Sequence, residues 1–117
     1  MTMVDLDAFA MNYFEALPNE KELHPLLATN VELETPSLGT LKGRDRVLAH
    51  LSSRERFAHL DALVFRRIAT FDDTAFVAYD SFFLEEPQRT VSFVDRLMVE
   101  ESAIRHIFTV GEEFQRV

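Results

Sequence analysis

The chain of 117 residues contains no cysteine and no tryptophan, and it has only three glycines and two tyrosines. Without cysteine there is no disulfide, no thiolate ligand for a metal and no cysteine nucleophile. Three scattered glycines do not form a glycine-rich phosphate loop, and no serine stands in a Gly-x-Ser-x-Gly setting. A chain without cysteine suits a reducing compartment, and we expect a cytoplasmic protein.

Long apolar runs and positive charge are also scarce. No apolar segment approaches the roughly 20 residues of a membrane-spanning helix, and the N-terminus carries acids where a signal peptide carries cations. Twelve Lys and Arg against twenty Asp and Glu give a formal net charge of −8, a field that repels phosphate backbones. The four histidines show no metal-ligand spacing. We therefore expect no nucleic acid, membrane, metal or cofactor.

Apolar residues are plentiful, including eleven phenylalanines, and their period changes along the chain. Helical spacing predicts a first helix over 5–17, a short second helix after Pro18 and Asn19, and a third over 44–53. A short strand is expected at 31–35, followed by a loop between Gly39 and Gly43. Two-fold alternation then predicts four antiparallel strands at 57–71, 74–84, 89–100 and 103–110. The sequence thus indicates one α+β domain over 1–117.

Asp95 is the best candidate for a functional residue. In a strand, residues two apart share a face, so this acid lies in an apolar row with Val91, Phe93, Leu97 and Val99. An ionised carboxylate on a buried apolar face is costly unless a partner satisfies it. We rate a functional role for Asp95 above a purely structural one, because perturbed acids cluster at functional sites.

Hairpin registers predict which residues accompany Asp95. A two-residue turn at Glu101 and Ser102 pairs Leu97 with His106 and places Phe108 opposite Asp95. A link of two or four residues before Arg89 adds Asp80 to the same face. A structural alternative remains open for each of two residues. For Asp80 it is a buried ion pair with Arg67. For His106 it is the role of a core histidine bonded to a carbonyl or to Asp95.

The opposite face of the predicted sheet is too apolar for water. Three helices cover only one side of a sheet, so we expect the other side to pair with a second copy of the chain in a homodimer. The residues assigned to this outer face are Leu60, Val64, Ile68, Val77, Tyr79, Phe83, Val94, Met98 and Ile107.

The order helix, helix, short strand, helix and four-strand meander resembles a known fold. The chain is similar to nuclear transport factor 2-like proteins, ketosteroid isomerase and the SnoaL-like polyketide cyclases. The resemblance covers nearly the whole chain. It rests on Tyr13-Phe-Glu-Ala-Leu17, Asn30-Val-Glu-Leu-Glu-Thr-Pro36, Gly43-Arg-Asp-Arg-Val47, Phe93-Val-Asp-Arg-Leu97 and Ala103-Ile-Arg-His-Ile-Phe108. It implies a cone-shaped, curved, mostly antiparallel sheet with three N-terminal helices packed on its concave face.

The resemblance also implies roles for individual residues. In ketosteroid isomerase a helix tyrosine and a strand aspartic acid, the latter kept neutral by its apolar site, donate hydrogen bonds to an oxyanion. Tyr13 and Asp95 match these positions. The isomerase's catalytic base is replaced here by Thr35, whose hydroxyl is too weak a base to act alone. In SnoaL-like cyclases a cone acid works as acid/base, which implies Asp80 or Asp95.

Two hypotheses of function follow. The first is a cofactor-independent isomerase or cyclase acting on a small apolar carbonyl compound, with Asp95 as general acid or acid/base, Tyr13 as second donor and His106 as orienting partner. The second is a non-catalytic module of the same fold that binds a hydrophobic ligand or serves in dimerisation. The residues expected to contact a bound molecule are Thr35, Asp80, Phe93 and Phe108.

Overall fold

The computed structural model describes residues 5–52, 60–83 and 89–115. Helix α1 spans Leu6–Ala16, α2 spans Glu20–Leu23, and a 3-10 turn at His24–Leu26 leads into strand β1, Leu27–Thr35. Strand β2, Gly39–Lys42, precedes helix α3, Arg44–Leu51. Four long strands follow: β3 (Leu60–Phe71), β4 (Thr74–Phe83), β5 (Arg89–Glu100) and β6 (Ala103–Gln115). None of the helices described is long and apolar enough to cross a membrane.

Local chemistry explains where the helices begin and end. The Asp5 carboxylate accepts the Ala8 N–H at 3.2 Å, and the Asn19 side chain accepts the Lys21 N–H at 3.0 Å, so both helices carry a side-chain cap. Pro25 lies at the start of the 3-10 turn and keeps α2 to four residues. The cap of α3 is Gly43, whose φ of 99° suits a residue without a side chain.

The six strands form one curved sheet in the order β2-β1-β6-β5-β4-β3. β1 runs parallel to β6, and the other neighbours are antiparallel. Helix α1 packs on β3 and β4, and α3 packs on β1. The α+β class and the cone with its helices on one face are therefore confirmed. Strand β2 is a correction, because its four residues were expected to be a loop.

Two of the predicted registers are wrong by one residue. Val99 pairs with Ile104 as expected, but Met98 then pairs with His106, so a bulge at Arg105 reverses the faces of β6 beyond it. Phe82 pairs with Thr90, which leaves an odd number of residues between the paired positions and reverses the faces of β4. A slip of one residue moves every side chain to the other face of the sheet.

The inner face of the sheet, beneath the helices, holds the core. Tyr13 of α1 and Leu17, which caps the C-terminus of that helix, are fully buried against it, as is Val47 of α3. The inner row of β4 is Ala75, Val77, Tyr79 and Ser81, and β6 contributes Ile104, Ile107 and Thr109. The outer face carries the alternate row, with Phe76 on β4, Val94 on β5 and Val110 on β6. Ile68, Val77, Tyr79 and Ile107 were expected on that outer face, but all four lie on the inner face, so that prediction is wrong.

Candidate functional site

Asp95 lies in the middle of the inner face with no solvent-exposed area. Its neighbours across the sheet are Val77 on β4 and Thr109 on β6, and Leu97 follows it in the same row. The predicted burial of this side chain among apolar residues is confirmed. A carboxylate in such surroundings needs hydrogen-bond donors in place of water.

Three hydroxyl groups supply those donors. The Tyr13 and Tyr79 hydroxyls donate to Asp95 Oδ2 at 2.7 and 2.8 Å. The Thr109 hydroxyl donates to Oδ1 at 2.5 Å. Both tyrosines of the chain therefore meet at one carboxylate oxygen. We call these four residues the Asp95 network.

Each donor of the network is positioned by a different element. Helix α1 places Tyr13 on its buried side, where the small Ala10 and Ala16 are also buried and let the helix approach the sheet closely. Tyr79 stands beside Val77 in the inner row of β4, diagonal to Asp95. Thr109 reaches the position opposite Asp95 only because of the bulge in β6. One helix and two strands therefore direct donors at a single carboxylate, which a third strand, β5, carries.

Sequence reasoning anticipated Tyr13 but missed Tyr79 and Thr109. The one-residue errors in register assigned Tyr79 to the outer face and placed Phe108 where Thr109 stands. A signal was present, because each is a hydroxyl-bearing residue in an otherwise mostly apolar alternating row. Hydroxyl groups are the donors that a buried carboxylate requires.

Aromatic rings continue the site beyond the Asp95 network. Tyr79 stacks on Phe93 with ring centroids 5.3 Å apart, and Phe14 contacts both Tyr79 at 5.6 Å and Phe65 at 5.7 Å. We call Phe14, Phe65, Tyr79 and Phe93 the aromatic cluster. Tyr79 is fully buried whereas Phe65 is 36% exposed, so the cluster runs from the core to solvent. Phe93, which was expected to contact a bound molecule, lies within it.

The space occupied by the Phe93 ring depends on a glycine in the next strand. Gly111 pairs with Phe93 across β5 and β6. A Cβ atom at position 111 would lie 2.7 Å from Phe93 Cε1 and 2.9 Å from Cδ1. The absence of a side chain there allows the ring to lie over the strand and stack on Tyr79.

His106 does not accompany Asp95, which corrects the register prediction. The bulge turns its side chain to the outer face, where its Nε2 atom lies 3.0 Å from Glu34 Oε1 on β1. The proposed orienting contact with Asp95 is therefore wrong. Both structural alternatives left open for this histidine are also replaced, because its partner is a glutamate on the neighbouring strand.

Asp80 and Phe108 also lie on the outer face, contrary to the prediction. Asp80 accepts a hydrogen bond from Arg66 Nε at 2.6 Å and another from the Ser92 hydroxyl at 2.7 Å. The buried Asp80–Arg67 ion pair that was left open is therefore not formed: Asp80 pairs with Arg66 instead, and 52% of the Arg66 side chain is exposed. The guanidinium carbon of Arg96 lies 5.4 Å from the centroid of the Phe108 ring, a cation–π contact. Both side chains lie on the opposite face of the sheet from the Asp95 network.

Thr35 lies at the end of β1, on the same face of that strand as the buried Leu33. Its hydroxyl accepts the Leu38 N–H at 2.9 Å. This bond closes the turn between β1 and β2, so the hydroxyl has a structural partner. Among the residues that the structure describes, no three His, Asp or Glu side chains are grouped in a way that would hold a metal ion.

In the observed geometry the Asp95 carboxylate is the acceptor of the network, and the protein's own hydroxyl groups are its donors. Each of the three hydroxyl protons points to the carboxylate, which leaves lone pairs rather than donors on the phenol oxygens. An oxyanion requires donors directed at it. The network as arranged therefore stabilises Asp95, and a donor role for Tyr13 requires its proton to turn towards a bound molecule.

Comparison with known proteins supports the fold and leaves the activity open. No protein-family model matches the chain, and no curated protein matches it either. The solved structures it resembles include a candidate ketosteroid isomerase from Kribbella flavida DSM 17836, with 21% identity, a TM-score of 0.75 and coverage of 94% of this chain and 79% of that one.

Two further structures show the same architecture. An NTF2-like protein of unknown function from Burkholderia xenovorans LB400 has 14% identity and a TM-score of 0.76, covering 96% of this chain and 86% of that one. A candidate polyketide cyclase from Sinorhizobium meliloti has 13% identity and a TM-score of 0.72, covering 92% and 100%. The chain therefore has the fold of NTF2-like, ketosteroid isomerase-like and polyketide cyclase-like proteins, as the resemblance predicted.

Proposed function

We propose that the protein binds a small apolar molecule against the aromatic cluster, with the Asp95 network as the fixed floor of the site. The observation that carries this proposal is the change in exposure along the cluster, from a fully buried Tyr79 to a 36% exposed Phe65. Open aromatic surface on the concave side of a curved sheet is typical of a small-molecule site. We still expect the protein in the cytoplasm, and this expectation depends on the sequence alone.

The state of the Asp95 network favours binding over chemistry. Asp95 has no exposed area, and its three hydroxyl donors satisfy both carboxylate oxygens. The Tyr79 hydroxyl is held by Asp95 while its ring stacks on Phe93. The network therefore fixes the orientation of the rings, and a preformed apolar surface binds with little loss of conformational entropy.

The binding test uses the neutral fluorescent probe N-phenyl-1-naphthylamine, whose emission rises in apolar surroundings. We expect the wild-type protein to enhance its emission with saturation. The variant Phe65→Glu should weaken binding about tenfold or more, because about 1.4 kcal/mol of lost apolar contact corresponds to a factor of ten. The matched control is Phe71→Glu, the same change at a side chain that is 74% exposed beside the β3–β4 turn.

Each outcome of this binding test either supports or rejects the proposed site. Saturable binding that Phe65→Glu weakens and Phe71→Glu preserves supports a ligand site at the aromatic cluster. If the wild-type protein does not enhance the probe, or if both variants bind it equally well, the proposed site is wrong. Far-UV circular dichroism of both variants checks that a loss of binding is not a loss of fold.

A second candidate function is a cofactor-independent isomerase or cyclase. The specific observation in its favour is the 2.7 Å bond between Tyr13 and Asp95, the pair of residues that the resemblance to ketosteroid isomerase implies. The Kribbella flavida structure is named a candidate ketosteroid isomerase. In this function a ketone would displace the Phe93 ring and receive a hydrogen bond from Tyr13 while Asp95 acts as acid/base.

Enolisation is measured as deuterium uptake beside the carbonyl of a cyclic ketone in D₂O, followed by NMR. If the protein is an enolising enzyme, the wild type accelerates exchange over buffer. Tyr13→Phe then lowers the rate by about two to three decades, the usual effect of removing an oxyanion donor, and Asp95→Asn abolishes the acceleration. Wild-type exchange no faster than in buffer across a panel of ketones would reject the enzyme.

A further inference from the structure

The rings of the aromatic cluster are aligned across the sheet. Phe65 on β3, Tyr79 on β4 and Phe93 on β5 occupy paired positions in three neighbouring strands, and Gly111 continues the row on β6. Phe14 of α1 lies against this row, with its ring inclined 63° to that of Phe65 and 58° to that of Tyr79. A molecule bound at the cluster therefore meets a wall of aromatic rings, most openly at Phe65, which is 36% exposed.

In the described part of the chain, the charged residues around the aromatic cluster are acids. Helix α1 contains Asp7 and Glu15 and no Lys, Arg or His. The described inner rows of β3 to β6 also contain no Lys, Arg or His, and their charged residues are Asp95 and Glu113, which the pairing with Val91 places there. Together with the net charge of −8, this distribution makes the electrostatic potential of the concave side negative, so that cations are attracted and anions repelled.

The Asp95 network offers a ligand hydrogen-bond acceptors rather than donors. The hydroxyl protons of Tyr13, Tyr79 and Thr109 all point to the Asp95 carboxylate. The phenol oxygens can therefore offer a ligand only their lone pairs. Because the three bonds replace the water that a buried carboxylate needs, the floor of the site is negative and its walls are aromatic.

Aromatic walls above a negative floor favour one class of ion. The face of an aromatic ring carries partial negative charge and attracts a cation that lies within about 6 Å of the ring centre. A metal ion or a primary ammonium would lose tightly bound water at such a wall without enough oxygen atoms to replace it. An alkylated ammonium is only weakly hydrated, and the apolar groups that surround its charge contact the rings directly.

We propose that the molecule bound at the aromatic cluster is an alkylated ammonium compound, whose charged head lies against the rings of Phe14, Phe65 and Phe93. This inference rests on the proposed binding function and specifies the one polar group of its otherwise apolar ligand. In this arrangement the Tyr79 side chain separates the head from Asp95. The carboxylate therefore attracts the head at a distance and does not touch it.

The test compares two molecules of the same shape. Choline and 3,3-dimethylbutan-1-ol differ only in the central atom of the head, which is a positive nitrogen in the first and a neutral carbon in the second. Binding is followed by ¹H–¹⁵N NMR titration, in which the amide signals of Phe93 and Gly111 report on the cluster. We expect choline to bind about tenfold more tightly than the alcohol at low salt, and this difference to shrink as added salt screens the charge.

Substitutions assign the preference for choline to a ring and to the charge. Phe65→Leu keeps an apolar side chain but removes an aromatic face, so choline should bind about threefold to tenfold more weakly while binding of the alcohol changes little. Phe71→Leu is the matched control, because it makes the same change at a ring that is 74% exposed and outside the cluster. Asp95→Asn removes the charge and keeps the shape, so it should lower the preference for choline. Far-UV circular dichroism checks the fold of each variant, and Phe65→Leu decides the question if Asp95→Asn is unfolded.

Each result of the comparison supports or overturns the inference. A preference for choline that Phe65→Leu reduces and Phe71→Leu preserves supports it. Equal binding of the two molecules, tighter binding of the alcohol, or a preference that Phe65→Leu leaves unchanged overturns it. If N-phenyl-1-naphthylamine binds at the cluster while choline shows no preference, the ammonium inference alone fails. If neither the probe nor either molecule binds, the proposed binding function fails with it.

Discussion

Two buried threonines provide a direct measurement of the strength of the Asp95 network. Thr109 and Thr90 are 5% and 6% exposed, and both lie in strands of the same sheet. The Thr109 hydroxyl donates to Asp95 Oδ1, whereas the Thr90 hydroxyl oxygen is buried with no hydrogen-bond partner among the residues that the structure describes. Replacement of each by valine removes one hydroxyl and keeps the shape of the side chain. The pair therefore isolates the hydrogen bond from the packing.

The two substitutions should have opposite consequences for stability. A hydrogen bond to a charged group contributes about 1.5–3 kcal/mol, so Thr109→Val should lower the free energy of unfolding by about that amount. For a domain of this size that corresponds to roughly 4 °C in Tm per kcal/mol. Thr90→Val removes a hydroxyl for which the described part of the chain offers no partner, so it should leave stability unchanged or raise it slightly.

Urea denaturation followed by intrinsic fluorescence measures both values. The chain has no tryptophan, and its two tyrosines both belong to the network, so the emission reports on the site itself. Far-UV circular dichroism should give a coincident transition if unfolding is two-state. Equal losses of unfolding free energy for Thr109→Val and Thr90→Val would show that the bond to Asp95 adds nothing to stability. That result would refute the view that the hydroxyl groups of the network stabilise the buried carboxylate.

Two further substitutions test the network and the ring stack beside it. Tyr13→Phe and Tyr79→Phe should each cost about 1.5–3 kcal/mol in wild-type protein but clearly less in an Asp95→Asn background, because the shared carboxylate is gone; equal costs in both backgrounds, measured by urea denaturation, would contradict this. Gly111→Ala should destabilise the protein by about 1–3 kcal/mol, because the new methyl group displaces the Phe93 ring from its stack on Tyr79; unchanged stability and probe binding would show that the ring moves freely.

Local signals in the sequence were sufficient for most of the fold. Alternation in β5 gave the correct orientation of Asp95 because one row of that strand is apolar on either side of the acid. The turns at Asp72 and Asp73 and at Glu101 and Ser102 were also predicted, and Asp72, Glu101 and Ser102 all have positive φ. Such two-residue turns depend on local backbone conformation. Strand β2 was missed because four residues are too few to show a period.

The two errors in register have a common physical cause. In β6 one row contains Ile104, His106 and Phe108, and the alternative row contains Ile107 and Thr109, so hydrophobicity alone does not distinguish them. β4 presents the same ambiguity, because apolar residues occupy both of its rows. The length of the connection before β5 and the bulge at Arg105 decide the outcome, and neither leaves a periodic signal in the sequence.

The hydrogen-bond donors that the buried Asp95 requires distinguish the predicted register from the observed one, whereas hydrophobicity does not. In the predicted register Asp95 would face Phe108, which has no donor, and would rely on a diagonal histidine. In the observed register Thr109 stands opposite the acid and Tyr79 stands diagonal to it, and both donate to it. A buried carboxylate without partners costs several kcal/mol. Exchanging the two mostly apolar rows of a strand by a one-residue shift in register costs less. The Asp95 network is therefore part of what selects the bulge in β6 and the phase of β4, whichever function the site serves.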